Sequence, residues 1–181
     1  MRYFEKMTAD PRYPIGKFRR PDVFTDATRA AAIGAIEALP ASLRNAVNGL
    51  SELQLDAPYR DGGWTVRQVV HHLADSHMNA YIRCRFAVTE DRPTVKPYDE
   101  NVWANLPDAR TAPIGSSLSI LDGLQTRWAT LLRTLTPAEF ERVWIHPEHG
   151  ERTVDWMVEL YAWHSRHHVA HITELRRAKG W

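Results

Sequence analysis

The 181-residue chain has one cysteine, almost no net charge and no long apolar run, and each shortage excludes a class of protein. A lone cysteine, Cys84, cannot close an intramolecular disulfide, which excludes the disulfide-stapled secreted scaffolds and points to a reducing compartment. No window approaches the roughly 18 consecutive apolar residues of a membrane span. The first residues, MRYFEKMTAD, lack the apolar stretch of a signal peptide. With 23 basic and 22 acidic residues the formal charge is +1, so there is no electrostatic footprint for nucleic acid or anionic lipid. Phosphate-cradling glycine loops and a serine on a strand-to-helix elbow are also missing. What remains is a cytoplasmic globular chain, expected as one domain over 1–181 and long enough to bury its own core.

Histidine is what the chain has in excess. Of nine, three fall in HHLADSH at 71–77 and four in HSRHHVAH at 164–171, leaving only His146 and His149 elsewhere.

Their setting is helical. Residues 1–24, with Pro11, Pro14, Gly16 and Pro21, read as an irregular arm. Then Ile33, Ile36, Leu39, Leu43, Val47 and Leu50 recur at intervals of 3, 3, 4, 4 and 3, one helix face that runs through Pro40 as a kink. Thr65 and Gln68 form a capping box that opens a second helix, whose apolar face is Val66, Val69, Val70, Leu73, His77, Tyr81, Cys84 and Val88. Cys84 on that face reads as a buried, inert thiol. Residues 89–115 carry four prolines and read as a long crossover with one helical turn near Asp99–Trp103, a wall or lid over a site.

A third helix is expected from about Ser117, buried through Leu118, Leu121, Leu124, Trp128, Leu131 and Leu135. Thr136-Pro137 opens a short helical turn, and VWIHPEHGERTV around Gly150 reads as a small β-hairpin. The fourth helix runs from about Thr153 to Gly180, with Met157, Leu160, His164, His167, His171 and Leu175 on one stripe. Four long helices and one extended crossover define an all-α four-helix bundle.

His167 and His171, four residues apart, stand one turn apart on one face, so two imidazoles can converge on one ion. They continue an apolar stripe, and several polar rings buried together cost several kcal/mol without partners. A shared metal ion is one answer; a hydrogen-bonded histidine core is the other. His164 lies one turn below on the same face, while His168 projects more to the side. A third ligand must come from another helix, and the second helix offers His71, His72 and His77. There His77 sits on the apolar face, His71 points away towards solvent, and His72 heads a polar seam of Ser76, Asn79 and Arg83. Such a seam beside an apolar face suits a pocket wall, but periodicity leaves His72 and His77 level. Trp64, Trp103, Trp144 and Trp163 offer apolar walls.

YPIG at 13–16, PYRDGGWTVRQVVHHLADSHMN at 58–79, KPYDE at 96–100 and YAWHSRHHVAHITEL at 161–175 resemble the YfiT-type branch of the DinB-like superfamily. The likeness runs from about Tyr13 to Trp181. It implies a four-helix bundle holding one divalent ion on three histidines, which by motif are His72, His167 and His171. Members of the branch are labelled metal-dependent hydrolases, and the branch includes bacillithiol S-transferases.

Three neutral imidazoles leave the ion its full charge and an open position, the arrangement of a catalytic site. Water there implies hydrolysis, and a low-molecular-weight thiol implies S-transfer. The sequence shows no carboxylate placed as general base, which tilts the reading slightly towards thiol transfer. Asp75 and Glu174, each three residues beyond a ligand, are the candidates to orient the imidazoles. Arg83 is a candidate binder for an acidic group on the thiol or substrate. Zinc fits the ligands best, and nickel, iron or copper would also suit imidazole. A homodimer is expected, with the arm (Tyr3, Phe4, Tyr13, Phe18) packed on its own bundle or its partner's. The alternatives are a non-catalytic metal-binding stress or interaction protein and a purely structural histidine core.

Overall fold

A computed structural model describes residues 10–181. Tyr3 and Phe4 of the arm lie outside the described residues. The helix expected to bend at Pro40 is α1 (Asp26–Glu37) continuing through Ala38 into α2 (Leu39–Val47). Pro40 has no N–H to return to the preceding turn, yet Ala38 N–H still donates to the Gly34 carbonyl and Ser42 N–H to that of Ala38. The hydrogen-bonded chain therefore passes Pro40 without a break. Ile33, Ile36, Leu39, Leu43 and Val47 are all buried, as their spacing predicts.

A short α3 (Glu52–Leu55) follows, which the hydrophobic pattern did not reveal. Its signature was legible in the sequence: Ser51 and Gln54 form a capping box. The second long helix, α4 (Val66–Thr89), opens on the capping box of Thr65 and Gln68. The crossover holds two helical turns rather than one, α5 (Glu100–Ala104), capped by Asp99, and α6 (Pro107–Thr111), with proline in its first turn. Then come α7 (Gly115–Thr134), α8 (Pro137–Phe140), the hairpin β1 (Val143–His146) and β2 (Gly150–Thr153), and α9 (Val154–Lys179). In the hairpin Gly150 is not at the centre. It opens β2 opposite His146, at φ 70°, and the loop is 147–149. A glycine in the left-handed region closing a three-residue loop is a favoured hairpin connection.

Against the expected face of α7, the helix is rotated. Leu118, Leu121, Gln125, Trp128, Ala129 and Leu132 are buried, whereas Leu124, Leu131 and Leu135 are only partly so. Helix α1 packs on α9 and α7, and α4 packs on the same two, closing a four-helix bundle. Arg29 of α1 ties this packing together, its guanidinium donating to both carboxylate oxygens of buried Asp155 on α9 at 2.8 and 2.7 Å.

The core comes in two apolar clusters. One gathers Ala80, Cys84, Trp128, Met157 and Ala162 with α1; the other gathers Val66, Leu73, Leu121, Ile172 and Leu175 with α2. Between them, at the same height on α4, α7 and α9, sits a polar layer: His72, Ser76 and His77, then Gln125, then the histidines of 164–171. Such a layer interrupts hydrophobic packing and needs internal partners.

Candidate metal centre

The layer is reached from one side by a cavity of about 530 Å³. His72 enters it from α4 and His164, His167, His168 and His171 from α9, with Ser76 and Arg83 farther along α4. The irregular residues before α4 form part of the wall. Gly62 adopts φ 64°, and a Cβ on Gly63 would meet Arg60 Cγ at 2.7 Å, so the Gly-Gly pair permits a tight return that lets Tyr59 N–H bond the Trp64 carbonyl. This turn delivers Tyr59 and Trp64 onto the histidines.

The rings are close. His72 and His168 stand edge to face with centroids 4.8 Å apart, and His167 and His171 with centroids 4.3 Å apart. Ligand nitrogens of His72, His164 and His168 lie within 4.8 Å of one another. Aromatic rings hold them: Trp163 stacks on His167 at 4.3 Å, Tyr59 on His171 at 4.1 Å, and Trp64 leans on His72 at 4.6 Å. The described part of the arm packs on its own bundle. Phe18 meets Trp156 edge-on, the Trp163 Nε1–H donates to the Gly16 carbonyl, and Arg12 and Tyr13 line the cavity.

Burial keeps these rings neutral. It pushes His72, His167 and His171 down to about 4, helped at His72 by the charges of His167 and His171 and at His167 by that of His171. At His171 the bond to the Arg12 carbonyl opposes burial and the Arg60 charge adds to it. His164 and His168 are held well below their ordinary value, again chiefly by burial. Neutral imidazole is the form that binds metal. The Nδ1 atoms of His167, His168 and His171 are buried without a hydrogen-bond partner among the described residues. A compact cluster of neutral imidazoles with unused ring nitrogens fits a divalent transition metal.

Several sequence expectations are corrected. His168 does not project aside: it is buried at the heart of the cluster, within ring contact of His72, His164, His167 and His171. His71 is not in solvent but buried, its ring nitrogens bonded to Ser117 Oγ at 2.7 Å and the Ala112 carbonyl at 3.1 Å. His77, level with His72 on periodicity, is fully buried with both nitrogens engaged, by Gln125 at 2.7 Å and His164 at 3.3 Å. It therefore belongs to the core behind the cluster.

The structure does not bring Asp75, Asn79 or Glu174 to this wall. Asn79 turns back to donate to the Asp75 carbonyl, Glu174 pairs with Arg177, and the Asp75 carboxyl, raised mainly by burial, bonds none of the histidines. Trp64 and Trp144 line the cavity, Trp163 supports it through His167, and Trp103 packs on Tyr98 instead. At the hairpin end the wall is His146, Glu148 and His149 with Tyr98 and Glu100, residues no helical pattern could place there.

A bundle whose central layer is a cavity lined with neutral histidines defines a class of helical metal-binding proteins, and the comparisons say which. The model of the DinB superfamily matches residues 35–172, and the chain belongs to that family. It is 50% identical over 170 residues to the "Putative metal-dependent hydrolase YfiT" of Bacillus subtilis, covering 93% of this chain and 96% of that protein. It is 52% identical over 177 residues to a like-named protein of Geobacillus kaustophilus, covering 96% and 99%. The solved structure of Bacillus subtilis YfiT, titled a probable metal-dependent hydrolase with an unusual four-helix bundle topology, superposes with a TM-score of 0.92 at 49% identity, covering 94% of this chain and 98% of that one. A four-helix bundle protein, TT2238, shares the fold at a TM-score of 0.54 and 19% identity. Among the described residues, no helix is long and apolar enough to cross a membrane.

Proposed function

We propose that this chain is a metal-dependent enzyme that holds one divalent ion on His72, His167 and His171 and activates a small nucleophile against a small-molecule substrate. The observation that carries the proposal is the cluster of buried, neutral imidazoles at the floor of a cavity large enough for a substrate. An ion on three neutral ligands supplies Lewis acidity, lowering the pKa of a water towards about 7 or deprotonating a thiol. Zinc suits the donors best, and nickel also accepts them.

The protein's own groups bind and orient. Ser76 Oγ donates to the Tyr161 hydroxyl at 3.3 Å, and Arg83, held by the Lys96 carbonyl at 2.7 Å, sets a fixed positive charge on the wall for an acidic group of the substrate. The names of the relatives favour water as nucleophile, hence hydrolysis. One observation favours a low-molecular-weight thiol instead. The carboxylates of the wall, Glu100 and Glu148, sit at its hairpin end, and none bonds the histidines to relay a proton. Thiol transfer needs less proton delivery to a leaving group than amide hydrolysis does. The same reading takes the protein as cytoplasmic and homodimeric, the latter checked by sedimentation.

The test is product formation from a haloaromatic electrophile and from amide and ester panels, with and without a small thiol, after metal removal, and in His72→Ala. Thiol-dependent turnover lost in both controls supports transfer, and thiol-independent ester or amide cleavage lost in both supports hydrolysis. Equal turnover throughout removes the metal from the mechanism.

A further inference from the structure

We infer that Gln125 decides which histidines can take a metal: through His77 it fixes a proton on Nε2 of His164, excluding that ring from the ligand set and leaving a lone pair on His72. The inference rests on the reading that the cluster holds an ion, and it bears on a choice that distance alone would make differently. By proximity the triad would be His72, His164 and His168, whose ligand nitrogens lie within 4.8 Å of one another, a closeness that His72, His167 and His171 do not share. The tautomers point away from His164.

A neutral imidazole carries one N–H and one lone pair, so a row of such rings has a direction. Gln125, fully buried on α7, places its amide Nε2 2.7 Å from His77 Nδ1. His77 Nε2 lies 3.3 Å from His164 Nδ1, and His164 Nε2 lies 3.3 Å from His72 Nε2. The direction is set at the buried end. With its amide N–H donating to His77, Gln125 leaves one carbonyl, Oε1, without a partner among the described residues. Turned over, it would bury an NH2 group with neither hydrogen accepted, and orphaned N–H groups are rarer than under-satisfied carbonyls.

The rest follows ring by ring. His77 accepts at Nδ1, so its proton is on Nε2 and is donated to His164 Nδ1. His164 therefore carries its own proton on Nε2 and donates it to the lone pair of His72 Nε2. A protonated ring nitrogen cannot ligate. His164 is thus a donor facing the cavity, and His72 Nε2 is a lone pair already aimed into the cluster. Once His72 is engaged by a metal, the His164 N–H is left to donate to whatever oxygen or sulfur binds beside it.

The experiment is long-range nitrogen–proton NMR on the labelled, metal-free protein near pH 8, reading each ring nitrogen through its carbon-bound protons. We expect His77 and His164 both to show a lone pair on Nδ1 and a proton on Nε2; the opposite pattern in either ring overturns the inference. Gln125→Leu, which removes the donor and keeps an apolar side chain of similar size, should leave His77 and His164 as tautomer mixtures. An unchanged single tautomer there would also overturn it. On adding zinc to the wild type, His72 should shift and the His164 Nε2 proton should persist. Loss of that proton, with other rings shifting, sinks only the present inference, whereas no shift in any ring sinks the metal reading and this inference with it.

Discussion

Tyr59 lies flat on His171, their ring centroids 4.1 Å apart and their planes within 17°. The tyrosine comes from the turn before α4 and the histidine from the middle of α9, so the contact braces a candidate ligand from outside its own helix. Tyr59→Ala should free the ring to rotate and admit water, weakening metal affinity about tenfold, the low end for loss of a residue that orients a ligand. Competition with a chelator measures it. Unchanged affinity would show that α9 alone orients His171.

Burial holds His72, His167 and His171 at about 4, below the 6.5 of free imidazole. As pH falls from about 6.5 to about 4 the unfolded chain takes up protons that the folded chain refuses, so stability is lost across that window and is fully present above it. Each such ring steepens the loss by at most about 1.4 kcal/mol per pH unit. The urea midpoint of the metal-free protein should therefore drop steeply there, less so in His167→Gln. A flat midpoint would contradict the burial of neutral rings.

The bundle and much of the cluster were legible because both depend on periodicity. The 3–4 spacing through Pro40 and the stripe from Met157 to Leu175 needed only helix geometry, and the family motif picked out His72, His167 and His171. What the pattern missed depends on rotation and on residues far apart in sequence. Gln125 was hidden because Leu124 and Leu131 suggested a face one step round from the real one. His168 looked peripheral because a single helix cannot show that Trp64 and His72 cover its flank. The hairpin residues His146 and His149 reach the cavity only through a register that no local signal sets.

The ion pair between Arg29 and Asp155 joins α1 to α9 with both side chains largely shielded, at 12% and 4% exposure. Removing one partner strands the other charge, so Arg29→Ala should cost about 3–5 kcal/mol. Denaturant unfolding reads this directly, and a cost below about 1 kcal/mol would place the pair in the class of solvated surface bridges.

Cys84 is fully buried against Trp128, and burial pushes its thiol up to about 11. It should be inert to a thiol reagent at pH 7 until the bundle opens, reacting at the rate of global unfolding. Fast labelling of the native protein would mean that the core around Trp128 opens locally.

The most direct measurement of the proposed centre is metal content per chain in the wild type and in His72→Ala, His167→Ala, His171→Ala and His164→Ala, with helicity followed alongside. We expect one divalent ion in the wild type and in His164→Ala, and loss of the ion with helicity retained in each of the other three. Full occupancy in His171→Ala together with loss in His164→Ala would contradict it.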